Sequence, residues 1–133
     1  IDLLAPEEIE IQCDRFRIEQ VLTNLISNAV KYGQGRPIQV KLLKNSDKIK
    51  ISVTDHGIGI PKDKLLAIFD RFERAVSDAL VSGLGLGLYI SRNIIKAHGG
   101  KIWAESTEKE GTIFYVELPI YRGSTFQSKE ISV

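Results

Sequence analysis

Cysteine is almost missing from this chain: Cys13 is the single one in 133 residues. One thiol closes no internal disulfide, so a reducing compartment fits. Cys13 lies in a weakly alternating apolar run and reads as a small buried hydrophobe. An excess of charge is missing too. The formal net charge is +1, which gives no case for nucleic acid or a membrane surface as partner. No apolar run approaches the roughly 20 residues that span a bilayer, and no signal peptide is visible. There is no internal repeat and no low-complexity segment. An initiating Met is absent, and the opening IDLLAPEEIEIQ reads as the start of a piece cut from a longer protein. What is present is ordinary for a globular domain: 43% hydrophobic and 26% charged residues. A single domain of this length can bury roughly two-thirds of its unfolded surface.

The stretch from Asp14 to Tyr32 reads as one amphipathic helix, with Ile18, Val21, Leu22, Leu25, Ile26 and Ala29 on its apolar face. Asp14 suits the N-cap, and Gly33-Gln34-Gly35 followed by Pro37 ends the helix. Ile9 to Cys13 reads as a short edge strand. Ile38 to Leu43 and Lys48 to Asp55 alternate across the turn Asn45-Ser46-Asp47 and predict a hairpin, with Ile49, Ile51 and Val53 inward. Pro61 opens a predicted short helix over Lys62 to Phe72. Glu73 to Ser82 has no period, and a connection of this length is usually functional or mobile. A second long helix is predicted from Leu86 to Ala97. Lys101 to Ser106 and Thr112 to Leu118 predict a second hairpin through Gly111. Residues 1–120 form the expected domain, and Tyr121 to Val133 an expected tail or linker. The order predicts an α+β two-layer sandwich: a mixed, mostly antiparallel sheet of about five strands, with three main helices on one face.

Four segments are candidates for chemistry. Asn24, Asn28 and Lys31 stack along one side of the first helix. Asn is a mediocre helix former, so two in mid-helix read either as a solvated face or as a site offering amide oxygens and an ammonium. Asp55-His56-Gly57-Ile58-Gly59-Ile60 is a strand end running into a glycine turn. It reads either as an Asp-initiated turn or as a carboxylate at a cleft, where a purine amine is a fitting donor. Gly83-Leu84-Gly85-Leu86-Gly87-Leu88 leads into a helix whose free N–H groups attract phosphate; the alternative is a flexible hinge. Its spacing matches neither a dinucleotide fingerprint nor a P-loop. In Phe69-Asp70-Arg71-Phe72 the aromatics suit a core anchor. Arg71 or Arg74 suits a phosphate clamp or an ordinary surface position.

Together these segments closely resemble the catalytic, ATP-binding domain of sensor histidine kinases. That domain belongs to the wider ATPase family shared with gyrase, heat-shock chaperone and mismatch-repair ATPases. NLISNAVKY resembles the family's N box, DHGIGI its first glycine box, FDRF its phenylalanine box, and GLGLGL its second glycine box. AHGGKIWAES and GTIFYVELP resemble its terminal hairpin, so the likeness runs from about Ile9 to Pro119.

The resemblance implies a Bergerat-type ATP-binding fold with ATP and Mg²⁺ as cofactors. It implies that the Asn28 oxygen ligates Mg²⁺, with Asn24 one turn earlier beside the metal and its waters. Lys31 would contact phosphates, Tyr32 would pack near adenine, and Asp55 would accept the adenine amine between Gly57 and Gly59. Gly83, Gly85 and Gly87 would meet phosphates and hinge a lid over about Arg71 to Leu84. Ile60, Phe72, Leu84, Leu86 and Leu88 complete the implied nucleotide-binding set, and Asn24, Lys31 and Arg71 the implied catalytic set. The gyrase and chaperone branch keeps a Glu at the position of Asn24, so water would lack its base here, which favours transfer to a protein nucleophile. His56 and His98 lack the family's acceptor context. The acceptor His is therefore expected on a separate dimerisation domain, with a response regulator downstream, and this chain alone is not expected to autophosphorylate. A cytoplasmic setting is expected, with any membrane anchor elsewhere in the whole protein. Two alternatives remain at this point: an anti-sigma-type serine kinase on the same fold, and a non-catalytic docking module.

Overall fold

The computed structural model describes residues 2–4, 10–70, 87–107, 110–120 and 130–132. Strands β1 (Asp2–Leu4) and β2 (Glu10–Gln12) precede helix α1 (Arg15–Tyr32). Strands β3 (Gln39–Asn45) and β4 (Lys48–Thr54) follow, then helix α2 (Gly87–Ala97), β5 (Lys101–Thr107), β6 (Gly111–Pro119) and β7 (Glu130–Ser132). Four antiparallel strands carry the sheet in the order β3-β4-β6-β5. Both predicted hairpins are present, and Ile49, Ile51 and Val53 point into the core as expected.

Where pairing or burial is decided by distant residues, the structure departs from local pattern. The edge strand expected at Ile9 to Cys13 is present. Its core, β2, pairs antiparallel with β7, which lies in the segment expected to be a tail or linker. The strand that lies parallel along β3 is instead β1. The third helix, expected over Lys62 to Phe72, is two short 3₁₀ turns, Lys62–Lys64 and Ala67–Phe69, and Asp70 is already extended. Among the described residues of that segment only the adjacent Ile68 and Phe69 are buried, while Leu66 is 87% exposed. A helix this short needs a whole buried stripe to hold it, and two neighbouring side chains do not provide one. Arg71, Phe72, Arg74, the expected lid, Gly83, Leu84, Gly85 and Leu86 lie outside the described residues.

Asp14 caps α1 as predicted, its Oδ1 accepting from the Arg17 N–H at 3.3 Å. Ile18, Val21, Leu25 and Ala29 of α1 are buried and join Ile94 and Ile95 of α2. Both helices cover the sheet face made by Leu42, Ile49, Ile51, Val53, Phe114, Val116 and Leu118. Each large aliphatic side chain buried in that layer is worth about 1.5–3 kcal/mol. The alternate residues point to the other face, where Trp103 and Tyr115 stack at 5.2 Å and 20°. Lys50 Nζ lies 4.7 Å from the Tyr115 ring centre.

Candidate functional site

The site is organised by the second half of α1. Its last residues, Tyr32 and the C-cap Gly33, lie against the Asp55 loop. The Tyr32 carbonyl, one of the orphan acceptors of a helix end, takes the Ile58 N–H at 3.3 Å. A Cβ on Gly57 would fall 1.7 Å from that carbonyl oxygen, so the backbone approach itself demands glycine. Two turns earlier, Asn24 reaches α2. Its Nδ2 donates to the Gly87 carbonyl and to the Ser91 hydroxyl, both at 3.2 Å. Asn28 sits four residues from each junction, about 6 Å along the axis in either direction at the usual helical rise. It is half-buried, and its amide makes no hydrogen bond among the described residues. Lys31 is exposed and Tyr32 half-buried.

Asp55 is 4% exposed, and one of its oxygens is fully committed. Oδ1 accepts from the Gly57 N–H at 2.9 Å and from the Thr112 N–H at 3.3 Å. The Asp55 N–H in turn donates to the Thr112 carbonyl at 2.9 Å. The bond to Gly57 is the Asp-initiated turn, and the second oxygen makes no hydrogen bond among the described residues. The rest of the loop is tied down at several points. The Arg36 Nη1 donates to the His56 carbonyl at 3.0 Å. The Ile60 N–H donates to Ser106 Oγ, which also bonds the Gly111 carbonyl and lies 2.9 Å from Thr112 Oγ1. Gly59 has φ 72°, the left-handed conformation that favours glycine.

Thr112, Ser106 and Gly111 were not among the residues the sequence singled out. A signal existed. Thr112 shares its strand face with Phe114, Val116 and Leu118, and Ser106 shares its face with Ala104 and Ile102. Hydroxyls in phase with a core stripe mark a place where the core meets polar partners. A Cβ on Gly111 would fall 2.2 Å from the Asp55 carbonyl oxygen. The start of β6 thus presses directly on the loop.

The structure brings Asn24, Asn28, Tyr32, Asp55, Gly57, Gly59, Ile60 and Gly87 together around α1, and Leu88 packs against the core beside them. Phe69 anchors the phenylalanine segment as expected, edge-on to Phe114 at 6.2 Å and 83°. Asp70 pairs with Arg92 of α2 at 3.5 Å. His98 is buried and structural: its Nδ1–H donates to the Ile94 carbonyl at 2.8 Å, and its Nε2 accepts from the Asp14 N–H at 3.0 Å.

This arrangement is that of a nucleotide-binding ATPase domain, and the chain belongs to the family described as histidine kinase-, DNA gyrase B-, and HSP90-like ATPase, whose model matches residues 13–122. Its relatives are sensor histidine kinases. It is 41% identical over 111 residues to the adaptive-response sensory kinase SasA of Synechocystis sp., covering 82% of this chain and 29% of that protein. It is 40% identical over 121 residues to the sensor histidine kinase WalK of Bacillus subtilis, covering 87% of this chain and 20% of that protein. The chain therefore spans less than a third of the length of these relatives. Among solved structures it is similar to the catalytic domain of histidine kinase ThkA, with a TM-score of 0.78 and 36% identity over 89% of this chain and 78% of that one.

Proposed function

We propose that this chain binds Mg-ATP and passes the γ-phosphoryl to a histidine on a separate dimerisation domain, from which a response regulator receives it. The observation that carries the reading is Asp55. A buried carboxylate whose one oxygen is fixed by two backbone N–H groups offers its other oxygen in one direction, and an adenine amine is the donor that matches.

Asn28 is the proposed Mg²⁺ ligand. Mg²⁺ keeps most of its waters and takes one or two protein oxygens beside the phosphates, so one unengaged amide suits it and an acidic cluster is unnecessary. When bound, the ion would neutralise charge on the triphosphate. The chain's own part is positioning. The first turn of α2 at Gly87 and Leu88 offers N–H groups to phosphate. Lys31 supplies charge, Asn24 flanks Asn28, and Tyr32, Ile60 and Leu88 line the nucleotide. Gly83, Leu84, Gly85, Leu86, Arg71 and Phe72 complete the proposed set, with the lid hinged on the glycines. A loose phosphoryl-transfer transition state asks for little more than alignment and charge. His98 is no acceptor, because both ring nitrogens are engaged in the fold.

Calorimetric titration with ATP, GTP and ADP, with and without Mg²⁺, tests the reading. ATP should bind at least about tenfold more tightly than GTP, a difference of about 1.4 kcal/mol. Equal affinity for adenine and guanine nucleotides would remove Asp55 from the purine, and no binding at all would leave only a docking role.

A further inference from the structure

We propose that Ser91, through Asn24, is a positioning residue that sets the phosphate-receiving turn of α2 against the metal-ligating Asn28 of α1. The inference rests on the functional reading above and adds a residue to it. Ser91 lies on α2, is fully buried, and cannot touch a ligand in the cleft. Its hydroxyl nevertheless holds the Asn24 amide at 3.2 Å, and that amide also holds the Gly87 carbonyl at 3.2 Å. A carbonyl only accepts, so the Asn24 group facing Gly87 is its NH₂. The donor end of Asn24 is thus spent on α2.

The consequence is geometric. Asn28, the proposed metal ligand, is rigidly one turn from Asn24 on α1. Gly87 opens the helix turn proposed to receive phosphate. The Asn24 side chain is the cross-tie between the two, and Ser91 fixes how that side chain is turned. A carboxylate at position 24 would face the Gly87 carbonyl with no proton to give.

The test is a double-mutant cycle on nucleotide affinity, made on the chain as it stands with Asn24→Ala, Ser91→Ala and both together. Ala is a good helix former, so Ser91→Ala should fold, and its thermal midpoint is measured alongside. We expect Ser91→Ala to lower Mg-ATP affinity about fivefold and Mg-free ADP affinity less than twofold. The double variant should be no weaker than Asn24→Ala alone. Ser91→Cys, which restores a weak acceptor of similar size, should recover part of the loss. Parental Mg-ATP affinity in Ser91→Ala, with Asn24→Ala impaired, would overturn the proposal and place Asn24 directly on the ligand. So would additive losses, or equal losses for both nucleotides. A parent chain that binds no nucleotide would overturn the functional reading itself and this proposal with it.

Discussion

The two glycine segments look alike in the sequence and behave differently residue by residue. Gly57 is demanded by the protein: a methyl there would collide with the Tyr32 carbonyl at 1.7 Å. Gly57→Ala should cost at least about 3 kcal/mol, read as a lowered denaturant midpoint, because the helix end and the loop cannot both keep their places. Gly87 is not demanded by the protein. A methyl there would meet the Asn24 side chain at 3.6 Å, an ordinary contact, on helical backbone. Gly87→Ala should therefore leave stability within about 1 kcal/mol of the parent while lowering ATP affinity, if phosphate comes as close as proposed. Unchanged affinity would move the phosphates away from α2. Asn28→Ala should abolish the gain in ATP affinity that Mg²⁺ confers, with the fold intact by circular dichroism. At Cys13, burial first and the Asp14 charge second push the thiol up from 9.0 to about 11. The folded chain then keeps a proton that the unfolded chain releases, so stability should fall as pH rises from about 9 to 11. Cys13→Ala should flatten that slope in a thermal melt series.

At the scale of elements, α1 and α2 are joined at two polar points beside their apolar seam. Asn24 ties the start of α2 to the middle of α1, and His98 ties the end of α2 to the cap of α1. His98→Ala should cost about 1–3 kcal/mol in a urea titration, since it strands the Asp14 N–H that now donates to the ring. Local pattern made most of these elements legible. The helix face of α1, its Asp14 cap and both hairpins follow from periods of 3.6 and 2 within a few residues. The departures share a cause. The β2–β7 pairing joins residues at opposite ends of the chain, and the 3₁₀ turns at Lys62–Phe69 depend on how little of that segment the core accepts. In the candidate site, residue type and spacing marked Asn24, Asn28, Asp55 and the glycines as candidates, and the family resemblance supplied their expected roles. Ser106 and Thr112 carried only the weaker signal of hydroxyls in phase with a core stripe, and their partners, like that of Ser91, lie 46 to 67 positions away.

For the molecule as a whole, the sheet and two helices share one core, and α1 spans from one glycine segment to the other. A ligand held at both ends of that span binds the folded state alone. Mg-ATP at a hundred times its dissociation constant should therefore raise folding stability by about 2.7 kcal/mol, measurable as a shift in melting temperature. The stacked pair on the far face of the sheet has an optical consequence. Trp103 is the sole indole of the chain, and it lies against Tyr115 and Lys50 rather than on the helix side. Its emission should follow the melting of the β-sheet and stay dark to nucleotide, so the protein carries a built-in gauge of unfolding whose reading is not confounded by occupancy.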